Sequence, residues 1–188
     1  YSASGYAGRE WVHFFVYLVA ILLSSGMKVA MPKTEGTMSV NFPFILLGIL
    51  ELSPLQAMCL AAASVVAQYW FRSGKSISLV RILFSVGNAT IATVLAWYSY
   101  TGSLKLLSNE IAPALSVAAV VYLIANSALM AVALGWESRT PLLSQWRHEL
   151  LWYLPFYLIG AMLAAAANFI GLLFGWMTSL LLIPVVYI

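Results

Sequence analysis

The chain has 188 residues, 63% of them hydrophobic and 8% charged, with a mean hydropathy of +0.94; a water-soluble domain holds roughly 45 to 50% apolar and about 25% charged residues, so a soluble globular fold is excluded and lipid is the solvent for most side chains. Nine Lys and Arg against six Glu give a net charge of +3, but the basic residues are divided among short loops and lack the continuous stripe that would neutralise a phosphate backbone, which excludes nucleic acid as a partner. The one cysteine, Cys59, excludes an intramolecular disulfide and, set among Ala, Met and Leu, reads as a small buried apolar residue.

The opening YSASGYAGRE is too polar for the core of a signal peptide, so no cleaved targeting segment is expected. Tyr1 in the place of a Met, and an apolar run still open at Ile188, predict that the sequence is part of a longer chain. A hydrocarbon core of about 30 Å needs roughly 20 helical residues, and six runs approach that length: Trp11 to Ser25, Pro54 to Phe71, Ser76 to Tyr100, Pro113 to Trp136, Glu149 to Asn168 and Gly171 to Ile188. A seventh, Asn41 to Ser53, would span only about 20 Å as a helix and carries Pro43, Gly48 and Glu51, so it either crosses at a thin point or is re-entrant. Before it, Gly26 to Val40 is longer than a minimal hairpin and is expected to form a lid or a short interfacial element. The predicted fold is therefore all-α: residues 1–188 form a single polytopic integral membrane helix bundle of six or seven transmembrane helices.

Charge placement orients the bundle. Seven crossings put Lys28, Lys33, Arg72, Lys75, Arg81, Arg139 and Arg147 on the cytoplasmic side and leave Arg9 and Lys105 outside; a re-entrant Asn41 to Ser53 weakens the partition to six against three. Both arrangements place the carboxy terminus in the cytoplasm. Trp11, Trp70, Trp97, Trp136, Trp146 and Trp152 lie near the ends of apolar runs, where an amphipathic ring prefers the headgroup zone.

Polar groups at lipid depth cost energy unless a neighbouring helix, water or a ligand satisfies them. Asn88 and Asn126 each lie about midway along their helices, and adjacent helices would let them meet, either as a structural pair or as the polar floor of a ligand cavity. Glu51 precedes Ser53 and Pro54, good cap and first-turn residues, so its carboxylate either anchors the amino terminus of the next helix or serves as a cation or proton site. Asn88, Asn126 and Glu51 are the candidate ligand-facing groups. Gly160 and Ala164 have the small-xxx-small spacing that allows close helix approach, for internal packing or for a dimer seam, and Pro155 in the same helix should kink it and open space against Asn88 or Asn126. Arg147, His148 and Glu149 read as interfacial snorkelling and local pairing. His13 has no acidic or Cys partner at metal spacing, and with two His, one Cys and no Asp no metal site is expected. No catalytic motif is present, so no catalytic residue is assigned and no cofactor is implied.

The stretch KVAMPKTEGTMSVNFPFILLGILELSPLQAM, Lys28 to Met58, resembles the membrane-embedded amino-terminal region of bacterial signalling proteins with HD-GYP or GGDEF output domains, which degrade or make cyclic di-GMP. The likeness rests on Pro32, Gly36, Thr37, Ser39 and Phe42 and the apolar segment ending at Glu51 to Ser53. It continues more loosely through Arg81 to Thr90, Asn126 and WRHELLWYLPFYLIG from Trp146 to Gly160. The resemblance implies a sensor or input domain in the bacterial inner membrane that relays a packing change through its last helix to a cytoplasmic effector. No HD pair, GYP or GGDEF motif is present, so these residues do not themselves carry nucleotide chemistry. A vaguer, architectural likeness to the substrate-binding membrane subunits of bacterial vitamin transporters supports a second reading, a small transporter or substrate-capture subunit. A structural subunit of a larger membrane complex is a third. The expected partners are the lipid bilayer and a homodimer or larger membrane assembly.

Overall fold

The computed structural model describes residues 3–25, 28–30, 37–39, 41–71, 78–138 and 142–174. Among these, six helices account for nearly the whole fold: α1 (Ala3–Ser24), α2 (Phe42–Glu51), α3 (Pro54–Trp70), α4 (Leu79–Leu106), α5 (Ile111–Ser138) and α6 (Leu142–Phe174). Two three-residue strands, β1 (Lys28–Ala30) and β2 (Thr37–Ser39), pair antiparallel between α1 and α2, with Val29 opposite Met38. The segment expected to be a lid or interfacial element thus contains a β-ribbon; its tip lies outside the described residues.

Local chemistry fixes several boundaries. Ser53 and Gln56 form a capping box at the start of α3, the Ser53 hydroxyl accepting from the Gln56 N–H and the Gln56 side-chain carbonyl accepting from the Ser53 N–H at 3.1 Å, with Pro54 as the first helical residue. The link between α4 and α5 is tight: Ser108 (φ 53°) and Asn109 (φ 67°) are left-handed, and the Asn109 N–H donates to the Leu104 carbonyl at 2.9 Å, closing the helix end. The polar opening contains no proline, and α1 begins within it, well before the apolar run at Trp11.

Contacts set the helix directions. His13 and Tyr17 of α1 meet Glu51, while Ser24 and Ser25 meet Asn41, so α1 and α2 are antiparallel. Gly48 faces Ala57 and Leu60, and Asn41 bonds Ser64, which makes α3 antiparallel to α2 as well. Phe42 lies against Gly160 and Glu51 meets Asn168, so α6 runs parallel to α2. Each of α3–α4, α4–α5 and α5–α6 is an antiparallel pair, tied by Tyr69–Ser85, Asn88–Asn126 and Trp146–Ser127.

The centre of this arrangement is α2. Every residue from Phe42 to Ile49 is buried, and α1, α3, α4, α5 and α6 all contact it. With 10 residues it measures about 15 Å, half of a hydrocarbon core. Phe42 stacks on Tyr157 and Tyr122, with ring centroids 4.3 and 5.1 Å away, near the midpoints of α6 and α5.

Three helical segments are long and apolar enough to cross a membrane: Leu79–Leu106, Ile111–Val132 and Tyr153–Leu173. Only 28% of the most apolar window in each is buried, so most of their apolar surface faces outward. The same holds for α1, which buries His13, Tyr17, Ala20, Ile21 and Ser24 on one face and exposes Trp11, Val12, Phe15, Val19, Leu22 and Leu23 on the other. Helices apolar on all sides belong in lipid or in the core of something larger.

Two expectations are corrected. The predicted break between Asn168 and Gly171 is absent: α6 runs unbroken from Leu142 to Phe174, because the Asn168 amide finds a partner within the bundle and Gly171 alone does not end a helix. Whatever follows in the predicted Gly171 to Ile188 run lies, from residue 175, outside the described residues. Cys59, expected to be buried, is exposed on α3 beside Leu55, while Leu60 and Ala61 take the inner face.

Candidate functional site

The end of α2 brings a carboxylate into the bundle at a place where the backbone does not favour one. Glu51 is the last residue of α2, at the negative end of the helix dipole. It does not cap α3, whose first-turn donors are met by the Ser53–Gln56 box. Its partners are side chains from the first and last described helices. The Tyr17 hydroxyl donates to Oε2 at 2.5 Å, His13 Nδ1 lies 2.9 Å from the same oxygen, and Asn168 Nδ2 donates to Oε1 at 3.3 Å. His13 and Tyr17 are buried, and the Glu51 side chain is 16% exposed. A carboxylate so far removed from water is tolerated when several donors converge on it. Nearby, the Trp97 indole N–H points at the Leu52 carbonyl at 3.4 Å, serving the end of α2 from α4.

Tyr17 and Asn168 were not singled out as site residues in the sequence, and His13 was weighed there only as a metal ligand. The available signal was the i, i+4 spacing of His13 and Tyr17 on an otherwise apolar helix face, which puts both rings on one side. His13 does have an acidic partner, supplied by a residue far along the chain rather than at local metal-ligand spacing.

Asn88 and Asn126 do meet. Asn88 Nδ2 donates to the Asn126 side-chain oxygen at 3.0 Å and to its backbone carbonyl at 3.1 Å, and Tyr157 lies beside the Asn126 side chain. The two acceptors pin the Asn88 amide, leaving its Oδ1 buried with no hydrogen-bond partner among the described residues. Glu51 belongs to a separate network, so the three candidate ligand-facing residues do not form one site. Pro155 is exposed, and α6 continues helically through it; the space it was expected to open toward Asn126 is taken by Tyr157.

Gly160 and Ala164 lie on the inner face of α6, both buried, and a Cβ at Gly160 would sit 2.8 Å from the Phe42 ring. The small-residue face thus receives α2, and the alternative of a dimer seam is not needed to explain it.

A third polar group sits at the start of α2. Asn41 Nδ2 donates to Ser25 and Ser64 at 2.8 and 3.0 Å, and its Oδ1 faces the Ser24 hydroxyl at 2.5 Å, all fully or almost fully buried. Among the described residues no three or more His, Cys, Asp or Glu side chains gather in a way that could hold a metal ion. Comparison of the chain with protein-family models, with curated proteins and with solved structures finds no match.

Proposed function

We propose that this chain is a membrane-embedded sensor or input domain, with the Glu51 cluster as its sensing site. In this reading α1, α3, α4, α5 and α6 cross the bilayer, and α2 is a short crossing held in their midst. The links α1–α2, α3–α4 and α5–α6 carry Lys28, Lys33, Arg72, Lys75 and Arg139, Arg81 lies in the first turn of α4 and Arg147 in the second turn of α6. Seven basic residues thus belong to one end of the bundle. Arg9, before the apolar part of α1, and Lys105, in the last turn of α4, belong to the other. Positive-inside bias makes the richer end cytoplasmic and turns the Glu51 end to the outside of a bacterial inner membrane.

The observation that carries the reading is that one carboxylate ties α1, α2 and α6 together. A change in what Glu51 binds alters the docking of the last described helix, which is the differential contact a two-state relay needs. The relay in this reading runs from the Glu51 cluster to a cytoplasmic output domain. It is tested in the full-length protein by measuring output activity with wild-type sequence, with Glu51→Gln and with residues 1–188 deleted. An output indifferent to both changes rules out an input role.

The alternative, a small transporter or substrate-capture subunit, is favoured by one feature: half-length helices ending inside a bundle are a common way for transporters to build binding sites. Uptake of a labelled solute into liposomes containing the purified chain would select it.

A further inference from the structure

We propose that Glu51 is a proton-binding site and that Asn168 is the positioning residue that lets one cluster hold both the ionised and the neutral carboxyl. In the ionised form all three partners donate: Tyr17 and His13 to Oε2, Asn168 to Oε1. A proton added to Oε1 forms one O–H bond, breaks none and raises the charge of the cluster by one. Oε2 keeps both donors. Oε1 becomes a donor, and facing an amide N–H it would lose its hydrogen bond.

Asn168 removes that conflict, because a side-chain amide carries a donor and an acceptor on the same carbon. Half a turn about its last torsion replaces Nδ2 by Oδ1, and the carboxyl then donates to Asn168. The hydrogen bonds leave the Asn168 amide less constrained than that of Asn88. The Asn168–Glu51 bond, 3.3 Å, is the longest of the three and is the single hydrogen bond of that amide among the described residues. Asn88, by contrast, is pinned by two acceptors, and turning it would set oxygen against oxygen.

Within the cluster His13 is the basic side chain that touches Glu51 among the described residues. Among the described residues the titratable groups in contact with Glu51 are His13 and Tyr17, both on α1. Asn168 on α6 carries no charge, nor does the Trp97 indole that α4 brings to Leu52.

That the proton is the signal rests on the sensor reading above; that Glu51 binds it does not. The test uses the whole chain in lipid nanodiscs, with its Glu carboxyls and Asn amides isotopically labelled and followed by infrared spectroscopy between about pH 4 and pH 9. One carboxyl is expected to titrate that is missing in Glu51→Gln. An Asn amide band missing in Asn168→Leu is expected to move with the same midpoint. A Glu51 signal that stays constant across the range overturns the proposal. So does a midpoint that follows the concentration of added sodium or methylammonium, which would make a cation the occupant. A titrating Glu51 with unchanged output from the full-length protein retires the sensor reading and leaves the site standing, and a pH-dependent output with a silent Glu51 does the reverse.

Discussion

Gly160→Ala is expected to destabilise the bundle although it replaces a helix-interior glycine by the best helix former. The new methyl would meet Phe42 Cδ1 at 2.8 Å and Cε1 at 3.2 Å, with Pro43 Cγ at 3.8 Å. Comfortable carbon contacts lie at about 3.5–4.0 Å, so α2 and α6 must separate by roughly 0.7–1.2 Å at this level, or the ring must turn. The ring has nowhere to go, because Phe42 is 6% exposed and is boxed by Tyr157 and Tyr122. Overpacking of this kind costs about 1–3 kcal/mol, and the gain in helix propensity returns up to about 1 kcal/mol. The net is a loss of about 1 kcal/mol, read as a lower midpoint of unfolding in detergent micelles. Gly87→Ala is the internal control. No atom of the described residues lies within 4 Å of its Cβ position, so only the propensity change applies and the midpoint should hold or rise. Phe42→Leu in the Gly160→Ala background should recover part of the loss. A Gly160→Ala protein as stable as wild type would refute the close approach of α2 to α6 on which the central placement of α2 depends.

Ser53→Ala removes the hydroxyl half of the capping box and should cost about 1 kcal/mol in the same assay, with Ser53→Asp largely restoring it. Asn41→Leu strips the partner shared by Ser24, Ser25 and Ser64 and should cost about 1–3 kcal/mol. Ser24 and Ser25 can still bond the carbonyls of Ala20 and Ile21, which limits the loss. Cys59 faces outward from α3 in an apolar setting, so in liposomes it should resist a charged thiosulfonate reagent and react slowly with a membrane-permeant maleimide. Rapid labelling by the charged reagent would show that this face of α3 meets water.

The elements that the sequence made legible are those whose signal is local. Runs bounded by Pro, Gly and charge place α3 and α5 within two residues of their observed ends and the start of α4 within three, though α4 runs six residues past Tyr100, since a long apolar helix has few ways to be anything else. Asn88 and Asn126 were legible as a pair because each is a lone polar group near the middle of its own helix. What escaped was long-range. Glu51 is paired with residues 34 and 117 positions away, Tyr17 and Asn168, and no periodicity links such positions. The continuity of α6 past Asn168 has the same origin, because Asn and Gly look like a break until the partner of the Asn is known. Pro155 was read as opening an inner cavity, yet which way a proline ring faces depends on the helix phase against its neighbours, and here it faces out.

The polar groups of this bundle are better understood from α2 than from any one of them alone. A helix about 15 Å long that lies inside a structure otherwise built of longer helices has both its ends indoors, where unmet backbone groups cost several kcal/mol each. At the beginning, the Asn41 carbonyl accepts from the Phe44 and Ile45 N–H groups while its side chain ties α1 and α3 together. At the finish, the Leu52 N–H returns to the Gly48 carbonyl, the Leu52 carbonyl takes the Trp97 indole, and Glu51 gathers α1 and α6. Asn41 and its serines suffice to seat the helix, and they are all neutral. A carboxylate at the other end does more than seating requires, since an amide in its place could bond Tyr17, His13 and Asn168 without bringing a charge indoors. The two clusters therefore predict different outcomes for the same kind of change: replacing Asn41 lowers stability, whereas Glu51→Gln leaves the fold as stable or more so and removes the response. A Glu51→Gln protein that fails to assemble would make the carboxylate a structural group and withdraw the case for sensing.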